Sequence, residues 1–254
     1  MNLHKLLLTQ NACYLAGQTI VPKGIMVHST DCNNPWLRRY VGPDDGLLGV
    51  NGNSNHWNTY HPNGRAVCVH GFIGKLADGT IATYQTLPWN YRGWHAGGVA
   101  NDTHISFEIC EDGLTDSTYF KKVYLEALQL CVYLCKAYGL TERDIICHSE
   151  GYAQGIASNH GDVMHWFPKH VKSMDTFRAD VKALLEAEGE PMQDNTPADW
   201  SKKAVEWAVQ SGLMAGNADG DLMLRSPLTR EQFCVMLKRY HVFCGKQNNQ
   251  RSTY

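Results

Sequence analysis

His160-Gly161-Asp162, followed closely by His165-Trp166-Phe167-Pro168, gathers several metal-capable side chains into one short stretch of the C-terminal half. His148 precedes this stretch at a distance suited to metal binding, and far upstream His28 ends an apolar run. Two imidazoles and a carboxylate drawn from separate parts of a chain are the set a catalytic zinc uses when its remaining position is left to water. The chemistry they point to is hydrolysis by a metal-activated water.

Those side chains need rigid elements behind them. Gly24-Ile25-Met26-Val27-His28-Ser29-Thr30 reads as a buried strand that delivers His28 near its tip. Residues 67–73 and 80–84 read as two strands of a hairpin around Ala77-Asp78-Gly79. Residues 105–110 read as another strand, one that turns Glu108 toward a cavity or toward solvent. From Phe120 to Tyr138 apolar residues recur at three and four, and Gly139 supplies a helix stop. A short strand at 144–147 would deliver His148, and a second helix is expected at about 174–187. Between Cys32 and Asn63 the chain turns to Gly, Asn, Asp and Pro, the composition of a long loop of the kind that carries function. The class is α/β.

Composition excludes several functions. Lys and Arg number 23 against 25 Asp and Glu, a net charge of −2, so no basic field is present to hold nucleic acid. Leu6-Leu7-Leu8 is too short for a signal-peptide core or a membrane span, which leads to the expectation of a cytoplasmically made chain with no signal peptide and no transmembrane segment. The nine cysteines are odd in number and mostly embedded in apolar runs, so they read as reduced core thiols. Cys131 and Cys135 would share a helix face and could pair or bind metal, but core packing is the simpler reading.

Residues 188–198 collect Gly, Pro, Asp, Asn and Gln and read as a linker after a first domain at 1–187. Beyond it, Ala204, Trp207 and Ala208 form one helical stripe, and Thr229-Arg230-Glu231-Gln232 is a capping box that opens another helix. This small helical module spans 199–244, with a tail at 245–254 expected to be disordered. Asn217-Ala218-Asp219-Gly220-Asp221 lacks the glycine position and closing glutamate of a calcium loop.

Residues 25–30, Gly93-Trp94-His95-Ala96-Gly97, Ser106 to Ile109 and the block from His148 to Pro168 together resemble the zinc-dependent N-acetylmuramoyl-L-alanine amidases of the type 2 family, over roughly residues 20–185. That family shares the fold of peptidoglycan recognition proteins, so the resemblance implies a central mixed sheet flanked by helices. Asp199-Trp200, the 204–208 stripe, Gly212-Leu213 and Thr229-Arg230-Glu231 resemble a single S-layer-homology repeat. The combination is similar to phage or prophage endolysins, which reach the cell wall after release.

The resemblance implies a Zn2+ ion held by His28, His148 and Asp162, with His160 and His165 as the other candidates for the third ligand. It implies catalysis by Glu108 as general base and by His160 as the group that steadies the oxyanion or supplies a proton. His95 and Trp94 would line the substrate groove. Two positions depart from the pattern: Val163 replaces a proline after the ligand, and Val69 replaces a tyrosine that some relatives use, which leaves Glu108 as the base. Trp57, Trp89, Trp94 and Trp166 could stack on sugars or pack internally, and no spacing ties His56, His61, His70 or His104 to the set. The expected partner is bacterial peptidoglycan, cut between N-acetylmuramic acid and L-alanine. The alternative is a non-catalytic peptidoglycan binder using the same groove. A lone repeat is a poor anchor, so the C-terminal module could instead mediate self-association.

Overall fold

The computed structural model describes residues 1–189, 195–217, 220–226 and 228–251. The chain divides into two compact units, Met1–Glu188 and Gly189–Tyr254.

The first unit is built on six strands in the order β1-β4-β3-β5-β2-β6, with β1 at Leu3–Lys5, β2 at Gly24–Asn33, β3 at Gly71–Lys75, β4 at Ile81–Gln85, β5 at His104–Glu111 and β6 at Ile145–Cys147. Only β3 and β4 run antiparallel, as the hairpin around Gly79; every other neighbour is parallel, so the sheet is mixed. Gly79 holds φ +85° in that turn, where a side chain would be strained. In the segment 67–70, expected to begin β3, Cys68 forms an isolated bridge with Trp94 and His70 N donates to the Ser106 carbonyl, but the strand itself starts at Gly71. Edge strand β1 was not expected, because its short mixed sequence shows no alternation.

Side chains alternate across each strand, and that alternation divides structure from function. Ile25 and Val27 of β2, with Ile105, Phe107 and Ile109 of β5, face one side and pack in the main core with Leu130, Cys131, Leu134 and Phe177. Much of that cover comes from α2, Ser117–Tyr138, whose N-cap Asp116 accepts from Thr118 N and Tyr119 N and whose cap Gly139 sits at φ +66°. Each fully buried large side chain here contributes about 1.5–3 kcal/mol. α4, Met174–Gly189, adds Met174, Phe177 and Val181 to the same core. The even-numbered neighbours Met26, His28, Ser106 and Glu108 point to the other face.

Much of the long loop region does not behave as an open loop. Leu37, Tyr40, Val41 and Leu48 are buried with Phe72, Tyr84 and Cys110 in a second core, so this stretch covers the sheet face beyond the functional residues. Five-residue α1, Ala12–Ala16, is capped by Asn11. All nine cysteines are free thiols; Cys131 and Cys135 pack in the core, whereas Cys32 and Cys234 are exposed.

In the second unit, α5 spans Lys202–Gln210 and α6 spans Arg230–Arg251. The capping box at the start of α6 forms: Thr229 N donates to Gln232 Oε1 at 2.8 Å, and Gln232 N donates to Thr229 Oγ1 at 3.1 Å. Helical backbone continues to Arg251, through Gly245 and most of the segment expected to be a disordered tail, and no proline interrupts it before that point. Residues 252–254, and part of the acidic turn at 218–219, lie outside the described residues. Among the described residues, Leu213 is the one buried hydrophobic side chain of this unit, and Ala204 and Trp207 of the expected stripe are exposed. No helix among the described residues is long and apolar enough to cross a membrane.

Candidate metal centre

Parallel register brings the chemistry together at one edge of the sheet. His28 of β2 pairs with Glu108 of β5, and Val27 pairs with Cys147, so His148, one residue past β6, comes up beside His28. This is the carboxyl end of adjacent parallel strands, where open α/β sheets place their ligands. A chain reversal then returns Asp162 to the same point. His28 Nδ1 lies 2.9 Å from Asp162 Oδ2, and His148 Nδ1 lies 3.7 Å from Asp162 Oδ1. One ligand atom from each of the three falls within 4.8 Å of the others.

Donor atoms about 2.0–2.2 Å from a tetrahedral ion stand roughly 3.3–3.6 Å apart. The separations here bracket that spacing, and two nitrogens with one carboxylate oxygen suit zinc with one position left open. His28 and His148 are 1% and 4% exposed and Asp162 9%, so the site is shielded. Burial lowers the His28 imidazole below its usual range, which keeps it neutral, the form that ligates. Burial works to raise the Asp162 carboxyl, but hydrogen bonds and charge from His148 and His28 outweigh it and hold the group well below the usual carboxylate range.

Outer contacts set the ring orientations. Ser158 Oγ donates to the Ala96 carbonyl at 3.1 Å and therefore accepts from His148 Nε2 at 3.2 Å. With Nε2 engaged by Ser158, the other ring nitrogen, Nδ1, is the one on the Asp162 side and the one open to an ion. His148 opens the short helix α3, His148–Ala153, whose start is tied by Cys147 N donating to Glu150 Oε2. Glu150 is in turn gripped by Arg178 through two hydrogen bonds of 2.9 and 3.0 Å.

Glu108 points into the same face. Its Oε2 is sealed from solvent and has no hydrogen-bond partner, and burial, reinforced by Asp162 and Glu111, raises its carboxyl well above the usual value. A buried carboxyl so perturbed, beside a metal-capable triad, is a candidate proton-transfer group. His160 is exposed and lies over His148, with ring centroids 4.7 Å apart.

His95 sits closer in than a groove wall. Its Nδ1 is 3.0 Å from His28 Nε2, and its Nε2 is closed to solvent. Trp94, in contrast, is 46% exposed, with the Arg92 guanidinium 5.2 Å over its ring, and is placed to meet a ligand. Trp89 and Trp166 are buried in the core and Trp57 packs edge-on against Phe72, so these three serve packing. His70 is buried, with Ser106 Oγ and the Tyr91 carbonyl as its partners.

His165 does not join the first group. Its Nε2 bonds Glu111 Oε1 at 2.9 Å and lies 4.0 Å from Asp31 Oδ1, and this pairing braces the loop that carries Asp162 against the end of β5. Asn101 and Ser158, which contact the site through the 95–96 backbone and through His148, were not foreseen. An isolated asparagine and serine have no spacing that marks them; the neighbouring Gly97-Gly98 pair was the available signal of close backbone approach.

Family models match this chain twice: residues 18–164 match N-acetylmuramoyl-L-alanine amidase, and residues 193–234 match the S-layer homology domain. No curated protein sequence matches. Among solved structures, the Staphylococcus aureus hydrolase AmiA in complex with its ligand is similar at 18% identity and TM-score 0.52, over 74% of this chain and 84% of that one. A mutant endolysin from Bacillus subtilis is similar at 23% identity and TM-score 0.48, over 71% and 99% of the two chains, and PlyL at 18% and 0.46, over 72% and 96%. The AmiA likeness supports the mixed-sheet fold. With a family match covering residues 18–164 of 254, the chain belongs to the N-acetylmuramoyl-L-alanine amidases.

Proposed function

We propose that this amidase hydrolyses the bond between N-acetylmuramic acid and L-alanine in peptidoglycan with a zinc ion held by His28, His148 and Asp162. The observation that carries the reading is the convergence of these three buried side chains within 4.8 Å, beside the unpartnered oxygen of Glu108. Zinc in this position supplies a water of lowered pKa, near 7, and a positive charge for the carbonyl oxygen. Glu108 takes the proton from the water and returns it to the leaving nitrogen. Both transfers are open to a carboxyl that burial raises well above its usual value. His160, at the exposed rim, donates toward the oxyanion, and Trp94 offers an aromatic face to the glycan. Two imidazole nitrogens and one carboxylate supply a single negative charge between them, so a divalent ion held there would remain net positive.

Treating purified protein with a chelator should abolish release of free muramoyl ends from Gram-positive walls, and added zinc should restore it. Mass spectrometry of the digest should show intact glycan separated from peptides that begin with L-alanine. Activity that is indifferent to chelation would remove zinc from the reading, and a wall left uncut would favour the binding-only alternative.

The endolysin setting follows from pairing an amidase with a wall-type module. The second unit serves as a targeting or assembly piece, and its apolar surface supports self-association. Trp200 is 91% exposed, and Phe233, Leu237 and Tyr240 on α6 are each about half exposed. One repeat cannot cover that surface alone. Sedimentation of the full chain should give a mass above the single-chain 28.5 kDa. Leu237→Lys should return it to one chain.

A further inference from the structure

The loop 94–97 touches both histidines of the triad, by different means. His95 Nδ1 meets His28 Nε2 at 3.0 Å, while the next residue's carbonyl, Ala96 O, accepts from Ser158 Oγ, which in turn accepts from His148 Nε2. The loop is itself clamped: Asn101 is 1% exposed, and its Oδ1 accepts from both His95 N at 2.8 Å and Ala96 N at 2.9 Å. Gly97 holds φ +65°, and a Cβ there would lie 2.8 Å from Ser158 Oγ; a Cβ on Gly98 would lie 2.5 Å from the Ile156 carbonyl. Backbone, glycines and the serine therefore fit as one piece behind the two rings.

We infer that His95 and Ser158 are positioning residues that fix which ring nitrogen of His28 and of His148 faces the ion, with Asn101 holding the loop that presents them. The inference rests on the cation reading proposed above. Ser158 has one hydroxyl proton and gives it to Ala96 O, so His148 must donate from Nε2, and its Nδ1 is left as the ligating atom. Without an ion, His28 Nδ1 donates to Asp162 Oδ2 at 2.9 Å, and at Nε2 it meets only His95. For Nδ1 to ligate, the single proton of a neutral His28 must sit on Nε2, and His95 Nδ1 is the acceptor that receives it. His95 then carries its own proton on Nε2, which is sealed from solvent and without a partner among the described residues. Ligating histidines are commonly held through the second nitrogen in this way, and losing that contact costs about 10–100-fold in metal affinity. Here a single loop serves both rings, one through a side chain and the other through a carbonyl and a serine.

The test is zinc affinity of the full-length chain, measured by competition with a chromophoric chelator, so that it does not depend on turnover. His95→Leu and Ser158→Ala should each bind zinc about 10–100-fold more weakly than the parent. His95→Asn, whose amide can occupy the place of Nδ1, should recover most of the loss. Nitrogen-15 spectra of the zinc-loaded parent should show His28 and His148 protonated on Nε2 only, a signature that a merely space-filling role would not produce. Unchanged affinity in both His95→Leu and Ser158→Ala, with circular dichroism like the parent's, would overturn the inference and leave the cation reading standing. Failure of the parent itself to bind zinc would overturn both.

Discussion

Replacing His28 by alanine lowers peptidoglycan hydrolysis by at least ~10³-fold and removes bound zinc, while the chain stays folded. A zinc-bound water is worth several kcal/mol in the transition state, and each 1.4 kcal/mol is about tenfold in rate. Taking away one of the three proposed ligands, 1% exposed and central to the set, forfeits that contribution. His28 lies on the functional face of β2, whereas the main core, with Ile25, Val27 and Phe107, is on the other face, so that packing is untouched. The local cost is the loss of partners for Asp162 and His95, about 1–3 kcal/mol for each buried polar group left unpaired. Turbidity clearing of walls and elemental analysis, read with thermal unfolding, check the result. Hydrolysis within tenfold of the parent would remove His28 from the centre.

Glu108→Gln should cost on the order of 10²–10⁴ in rate, the worth of a placed general base, and leave zinc content unchanged, because Glu108 is outside the triad. The pH profile carries a second expectation. Burial, with Asp162 and Glu111 adding to it, holds the Glu108 carboxyl well above its usual value, so the active, ionised form is lost as pH falls through that raised value. The parent's acid limb therefore reports Glu108, and Glu108→Gln abolishes that limb. Stability moves in the opposite sense. A carboxyl whose pKa is raised on folding binds more protons folded than unfolded, so metal-free protein loses stability as pH rises from the unfolded value, about 4.3, through the folded one. Metal-free Glu108→Gln should melt higher than the parent at neutral pH and converge with it below about pH 4. Equal melting temperatures at neutral pH would show that Glu108 is not held in this unfavourable state. Such a gain in stability on loss of a catalytic group is the signature of a site kept strained for its chemistry.

A loosely packed appendage is consistent with the composition of α6, where apolar residues fall on several sides of the helix and do not form one stripe. A helix of that kind is satisfied only when more than one surface is covered. The apolar cleft of the second unit, about 840 Å³ and lined by residues including Trp200, Leu213, Val235 and Met236, adds to that uncovered area. The mass measurement on Leu237→Lys bears directly on it.

His28, Glu108, His148 and Asp162 could be named in advance because their segments carry local signals: alternating strands, a helix with its glycine stop, and a motif order shared with a family. Periodicity of two or of three and four is a property of neighbouring residues, so it survives in one dimension. The 204–208 stripe shows the limit of that reasoning, since its period is helical yet Trp207 remains 49% exposed. Other features had no local mark. Edge strand β1 forms because β4 offers its free side to Leu3, His4 and Lys5. The 37–48 region became core because a sheet face needed cover. His95 reads as a groove residue in sequence and becomes a partner of His28 only when the 94–97 loop is clamped by Asn101, and Ser158 gains a role only through Ala96 O and His148. The sequence determined which side chains are candidates for the chemistry and on which face of their strands they lie. Tertiary structure alone decided their distances, their protonation and what holds them, because ligand geometry and desolvation arise from contacts between residues as far apart as 28 and 162, and such contacts leave no periodic trace along the chain.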